Sequence, residues 1–290
     1  MVVVESYLIA IVLCFITMLC WGSWANTQKL ASKEWKFQLF YWDYSIGVLL
    51  LALFFAFTLG SFGSEGRHFI EDLFQADSNA LLSAFLGGVI FNLANILIVV
   101  AIDIAGMAVA FPVGIGLALI LGVITNYIGA PVGNPYLLFA GVAAVTIAIL
   151  VDAIAYRRLS GSKESKARNG LLIALAGGIL MGFFYRFVAS SMSVDFVTLE
   201  VGKLSPYTAV VIFSLGLLVS NFIWNTILMV KPLSGEPVKY SDYINKGSLK
   251  LHLIGILGGV IWSIGMSFSI IASGAAGFAI SYGLGQGATM

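Results

Sequence analysis

Eight segments of about twenty residues, each nearly free of charge, divide this chain: Tyr7–Asn26, Leu39–Leu59, Ala80–Ala101, Ala105–Ile128, Tyr136–Tyr156, Gly170–Ser190, Tyr207–Val230 and Leu251–Ala272. A ninth begins near Ala276. As α-helices, runs of this length match the hydrocarbon core of a bilayer, about 30 Å thick. Period-two alternation is weak, which argues against a β-barrel. Composition agrees with spanning helices: 60% of residues are hydrophobic, 10% are charged, and mean hydropathy is +1.00. A soluble domain carries about 25% charged residues. A soluble enzyme, a disordered chain and a nucleic-acid-binding protein are therefore excluded, and the net charge of +1 offers no bulk attraction to nucleic acid. Cys14 and Cys20 share the first segment, and His68 and His252 are the only histidines, so neither a disulfide framework nor a metal centre or other cofactor is expected. No basic residue precedes the first segment, which runs into Trp21-Gly-Ser-Trp24, so it reads as a retained helix rather than a signal peptide.

Charge assigns the two faces. Lys29, Lys33, Lys36, Arg157, Arg158, Lys163, Lys166, Arg168, Lys231, Lys239, Lys246 and Lys250 fall on one side, and Glu65, Glu71, Asp72, Asp77, Asp195 and Glu200 on the other. Loops rich in Lys and Arg stay in the cytoplasm. The N-terminus is therefore expected outside, the protein in the cell membrane as a multi-pass chain, and the basic segment 157–169 inside. The outer stretch Ser61–Asn79 spaces Phe69, Ile70, Leu73 and Phe74 among acidic residues, as in a short interfacial helix.

The chain also repeats itself. Leu86-Gly-Gly-Val-Ile90 recurs as Leu257-Gly-Gly-Val-Ile261, and the register continues without a gap at an offset of 171. Ala101 falls on Ala272, Gly106 on Gly277, Gly114 on Gly285 and Gly116 on Gly287, while Phe91 meets Trp262. Ser45-Ile-Gly-Val-Leu49 echoes Ser214-Leu-Gly-Leu-Leu218, and Trp21-Gly22 lines up with Met181-Gly182. The unit holds five helices, and five is odd, so the second copy must enter the membrane inverted. The expected fold is an all-α polytopic membrane protein: an inverted five-plus-five repeat with halves 1–156 and 170–290 joined by the basic linker 157–169. The same register carries the second half past Met290, so the sequence reads as truncated in its ninth helix. Inverted repeats of this kind build alternating-access transporters.

This pattern resembles the drug/metabolite transporter superfamily. Within it, Cys20-Trp-Gly-Ser-Trp-Ala-Asn-Thr-Gln-Lys29, Tyr41-Trp-Asp-Tyr-Ser-Ile46 and Tyr282-Gly-Leu-Gly-Gln-Gly287 are similar to the ureide permease and glucose/ribose porter branches. The resemblance implies a permease for a small polar organic solute, such as a sugar or a ureide-like heterocycle. Two other readings stay open: an exporter of drugs or amines, which would want a deep acidic residue, and a non-transporting membrane scaffold. An enzyme is not expected, since no nucleophile–base or metal constellation appears.

Polar groups inside a membrane are costly and usually face a cavity or a partner, so they define the candidate site. Asn92 and Asn95 lie one turn apart on the third segment, and Asn92 maps to Ser263. Their amides suit a neutral polar solute, and an interhelical hydrogen bond is the alternative. Trp262 beside Ser263 offers an aromatic platform. Tyr282 and Gln286 share a helical face. Trp21 lies toward the inner end of the first segment, and Arg186 is the basic residue deepest in an outer half-span. These eight are the expected substrate contacts. Asp43 and Pro112 are candidates for coupling and gating: Asp43 as a proton carrier or a capping carboxylate near Lys36, and Pro112 as a kink. Asp103 reads as a turn residue. The expected partners are a small-molecule substrate, the lipid bilayer and coupling protons.

Overall fold

A computed structural model of the chain describes residues 1–159, 164–233 and 235–287. Helices dominate and, among the described residues, no strand is longer than an isolated bridge between Met192 and Leu204. The helices are α1 (Tyr7–Ser23), α2 (Ala25–Ala31), α3 (Phe37–Phe57), α4 (Phe69–Gln75), α5 (Ser78–Ala105), α6 (Met107–Gly129), α7 (Pro135–Leu159), α8 (Glu164–Ser191), α9 (Pro206–Val230), α10 (Tyr240–Asn245), α11 (Leu249–Ala276) and α12 (Phe278–Gln286). Seven stretches are long and apolar enough to cross a membrane; α1 and α2 together make one of them, Tyr7–Ala31. The apolar part of α7, Pro135–Val151, is shorter. Leu8, Leu19, Phe54, Leu137, Phe222 and Ile223 stand more than half exposed. Water would reject such a surface, and lipid accepts it. The chain is a multi-pass, all-α membrane protein.

Local sequence sets the helix ends. The side chains of Ser6, Ser205 and Ser248 each accept a hydrogen bond from the backbone N–H three residues on, as N-caps do, and Pro206 occupies a first-turn position where its missing N–H costs nothing. Gly106 separates α5 from α6 with φ 85° and ψ 155°, and Gly277 separates α11 from α12 with φ 84° and ψ 152°. Side chains disfavour that backbone region, and these two glycines are the same position in the sequence repeat.

One expectation changes. The turn expected at Ile102–Ile104 is helical, so Asp103 belongs to α5, and the break falls at Gly106. The segment 157–169 is mostly helical, since α7 runs to Leu159 and α8 starts at Glu164; residues 160–163 lie outside the described residues. The segment after α9 contains α10, six residues without a marked apolar period. The interfacial helix within Ser61–Asn79 is α4. The expected truncation of the ninth helix concerns residues 288–290 and beyond, outside the described residues.

Packing follows a reciprocal scheme. α5 lies against α8 and α9, and α11 lies against α1 and α3. α6 touches α8, α12 touches α1, and α6 and α12 touch each other. The closest approaches also come in exchanged pairs. A Cβ at Gly88 would collide with Phe213 O on α9 and lie 2.7 Å from Leu217 N, while one at Gly259 would collide with Tyr44 O on α3 and lie 2.8 Å from Val48 N. Gly47 abuts the carbonyl of Ile256, and Gly216 that of Phe85. Asn92 donates to Leu217 O (3.2 Å), and Ser263 donates to Val48 O (3.0 Å). Where lipid removes the hydrophobic drive between helices, small residues that let backbones meet supply the association energy.

Adding one methyl group tests these seams. Gly88→Ala and Gly259→Ala should each lower Tm in detergent by several degrees, consistent with about 1–3 kcal/mol of overpacking. Gly141→Ala on α7, where a Cβ meets nothing within 4 Å, should leave Tm unchanged.

Candidate functional site

The bundle encloses a cavity of 1030 Å³. Its deep wall is aromatic: Trp21, Trp24, Phe91, Phe184 and Trp262 line it, with Asn95 and Gln286 as amides. Trp21 stacks on Trp262 (centroids 6.0 Å apart, 15° between planes), and Phe91 lies 4.3 Å from Trp262. α1, α5, α6, α8, α11 and α12 therefore all reach the same chamber. A large, mostly apolar space with a few convergent polar groups is the ordinary form of a small-molecule site. Asn95 donates from Nδ2 to the Tyr41 hydroxyl at 3.0 Å, which orients its amide at the wall. Gln286 hydrogen-bonds Tyr282.

The mouth lies on the lysine-rich face, where Lys29, Ser32, Lys36, Asp103 and Glu236 line it. The loops 58–77 and 192–205, at the other end, contribute no lining residue and are tied to one another. Arg67 pairs with buried Asp72 at 3.0 Å and also donates to the carbonyls of Leu199, Glu200 and Lys203. Asp72 accepts from Ser205 N (2.7 Å), and Gln75 accepts from Gly202 N (2.7 Å). The cavity is thus open at one end and clasped at the other.

Half of the expected contacts line this chamber: Trp21, Asn95, Trp262 and Gln286, together with Pro112 inside α6. The other four do not. Asn92 is fully buried between α5 and α9, donating to Leu217 O and Ser220 Oγ, and Ser263 is bonded to α3. Both take the interhelical role. Tyr282 stands behind the wall, its hydroxyl directed at Met181 O (3.0 Å) and Ala118 O (3.3 Å). Arg186 lies with its guanidinium against Gly129 at the C-terminal end of α6, away from the chamber. A cation there complements the negative end of that helix.

Asp43 does not meet Lys36. Its carboxylate accepts from Tyr243 on α10 and from Trp35 Nε1 (3.3 Å), and it pairs with His252 Nδ1 on α11 (2.9 Å). Burial, with the hydrogen bond to Asp43 and its charge, pushes the Tyr243 hydroxyl well above the ordinary phenol range, so it stays a donor. Trp35 also lines the cavity, so one indole joins this cluster to the chamber. Sequence reasoning missed His252 and Tyr243 because they lie some two hundred positions from Asp43. The weak hint was that His252 opens a membrane segment, where an ionisable group requires a partner.

The family model described as ureide permease matches residues 40–169, which include Asp43, Asn92, Asn95 and Pro112. The chain is similar to the ureide permeases. Ureide permease 3 of Arabidopsis thaliana is 24% identical over 309 residues, an alignment covering 96% of this chain and 89% of that protein. Ureide permeases 2 and 5 of the same plant are each 29% identical over 58% and 59% of this chain, and the matches span 44% and 42% of their own lengths. The chain thus spans under half the length of several of the curated relatives it matches. No solved structure matches it.

The clasp gives a direct stability test. Arg67→Met leaves Asp72 buried and unpaired, a change that costs about 3–5 kcal/mol. Tm should fall by many degrees, whereas Lys246→Met, which removes the solvent-exposed pair with Asp242, should leave it nearly unchanged.

Proposed function

We propose that this protein is a secondary transporter that moves a ureide or a closely related neutral nitrogen heterocycle by alternating access. The observation that carries this reading is the cavity itself: a single aromatic and amide-lined chamber, reached by helices of both sequence halves, open to one face and clasped at the other. A ureide presents a flat ring edge with alternating N–H and C=O groups. Indole faces at Trp21 and Trp262 stack such a ring, and Asn95 and Gln286 exchange hydrogen bonds with it. The names of the similar proteins support the same substrate class. Among the described residues no carboxylate reaches the deep wall, and Asp103 and Glu236 stand at the mouth, which disfavours an amine exporter.

In this reading the two halves are inverted copies within the drug/metabolite transporter architecture, and they rock about the glycine seams. The lysine-rich face lies in the cytoplasm of the cell membrane, with the N-terminus outside. Breaking the Arg67 clasp opens the chamber outward, and closure around Trp35 and Lys36 seals it inward. The coupling ion is a proton, carried by Asp43 with His252. Protonation of the carboxylate weakens its hold on His252, Tyr243 and Trp35, and so frees the inner end of α11 from α3.

Uptake of radiolabelled allantoin into proteoliposomes tests this. Asn95→Ala and Trp262→Ala should each lower kcat/KM about tenfold or more, while Arg186→Gln should change it less than about threefold. Asp43→Asn should flatten the pH dependence of uptake. Absence of allantoin uptake by the wild-type protein would overturn the reading, and unchanged pH dependence in Asp43→Asn would remove the proton assignment.

A further inference from the structure

We infer that Gly265 is a positioning residue that sets the width of the chamber by holding Trp21 back against its wall. The inference rests on the transport reading and names what decides which ureides fit. Trp21 lines the chamber, but its indole is wedged behind by two glycines. A Cβ at Gly265 on α11 would lie 2.7 Å from Trp21 Cδ1 and 2.8 Å from its Nε1, closer than real side chains approach. A Cβ at Gly285 on α12 would lie 3.3 Å from Trp21 Cζ3. Thr17 fixes α1 to α11 from below, donating to Gly265 O at 2.9 Å. Trp21 Nε1 is buried and has no hydrogen-bond partner among the described residues. The ring is therefore located by packing alone, and the chamber is the open space it borders. A methyl group at position 265 meets the indole first, with Cys20 Cβ next at 3.1 Å, and the indole borders open space on its chamber side.

The sequence repeat supplies an independent observation. Gly265 falls on Ala94 at the offset of 171, and the first-helix alignment of Trp21-Gly22 with Met181-Gly182 puts Met181 where Trp21 stands. Met181 also lines the chamber, and Ala94 is fully buried. One half thus carries a large ring and a glycine at these positions, and the other a thioether and an alanine. The side-chain volume is traded between the two positions, as expected if both serve one wall of fixed location.

The exchange predicts a rescue. Hydantoin and allantoin share one ring, and allantoin adds a urea arm. Uptake of both is measured for the wild-type protein, Gly265→Ala, Trp21→Met and the double variant. Gly265→Ala should raise KM for allantoin about tenfold while changing that for hydantoin less than about threefold. Adding Trp21→Met should return allantoin uptake to the level of Trp21→Met alone. Equal losses for both compounds, or no recovery in the double variant, would overturn the inference. Trp21→Ala adds no atom and gives a second arm should Gly265→Ala fail to fold. It should raise uptake of 5-benzylhydantoin relative to allantoin above the wild-type ratio, and an unchanged ratio would count against the role. Failure of the wild-type protein to carry either compound would overturn the transport reading instead. The inference is then decided by the thermal stabilities of the four proteins: a Tm loss in Gly265→Ala recovered by Trp21→Met supports the wedge, and additive losses overturn it.

Discussion

Backbone-to-backbone contact across four glycines is the interaction on which the rest of this structure depends. In lipid, apolar side chains gain nothing by leaving the solvent for one another, and helices associate through dispersion and interhelical hydrogen bonds. Gly88 and Gly259 bring α5 onto α9 and α11 onto α3, and Gly47 and Gly216 deepen the same two seams. Polar ties then lock the register: Asn92 and Ser263 across one pair of positions, and Asn221 and Asn225 from α9 onto Ser45 Oγ and Gln38 O of α3. Such bonds average about 0.6 kcal/mol each, so they specify alignment more than they add strength. Tight seams leave the space between them unfilled, and that space is the chamber.

The two ends of the chamber are built from different materials. The closed end relies on charge: Arg67 reaches one buried carboxylate and three carbonyls that belong to loops on opposite sides of the seam. The open end relies on aromatic side chains and one buried carboxylate, Asp43, which faces Trp35, Tyr243 and His252. In the repeat, Asp43 and His252 correspond to Ile212 and Leu81, both half-buried apolar residues. Packing at that position therefore does not require ionisable groups. Their presence at one end of the chamber alone makes the two ends chemically distinct.

The helical, membrane-spanning class was legible in the sequence because the bilayer imposes a length and a polarity on each span. The α4 helix showed its apolar spacing, whereas the break expected at Ile102–Ile104 falls at Gly106. The site was legible only in part. Asn95, Trp262, Trp21 and Gln286 line the chamber, but Asn92, one turn from Asn95, faces another helix, and a helical wheel without neighbours cannot separate the two. Arg186 looked exceptional by depth, yet it meets a helix end rather than a solute. Gly265 gave no signal at all, because its role lies in the ring that fills the missing volume.

Alternating access requires the two ends of the chamber to exchange openness, and paired distance measurements read this directly. Spin labels at Gln28 and Asp103 report the mouth, and labels at Glu71 and Val201 report the clasped end. With allantoin under a pH gradient, the account expects two populations whose weights move oppositely, the mouth narrowing as the clasped end widens. A single distance at each pair, unchanged by substrate or gradient, would contradict it.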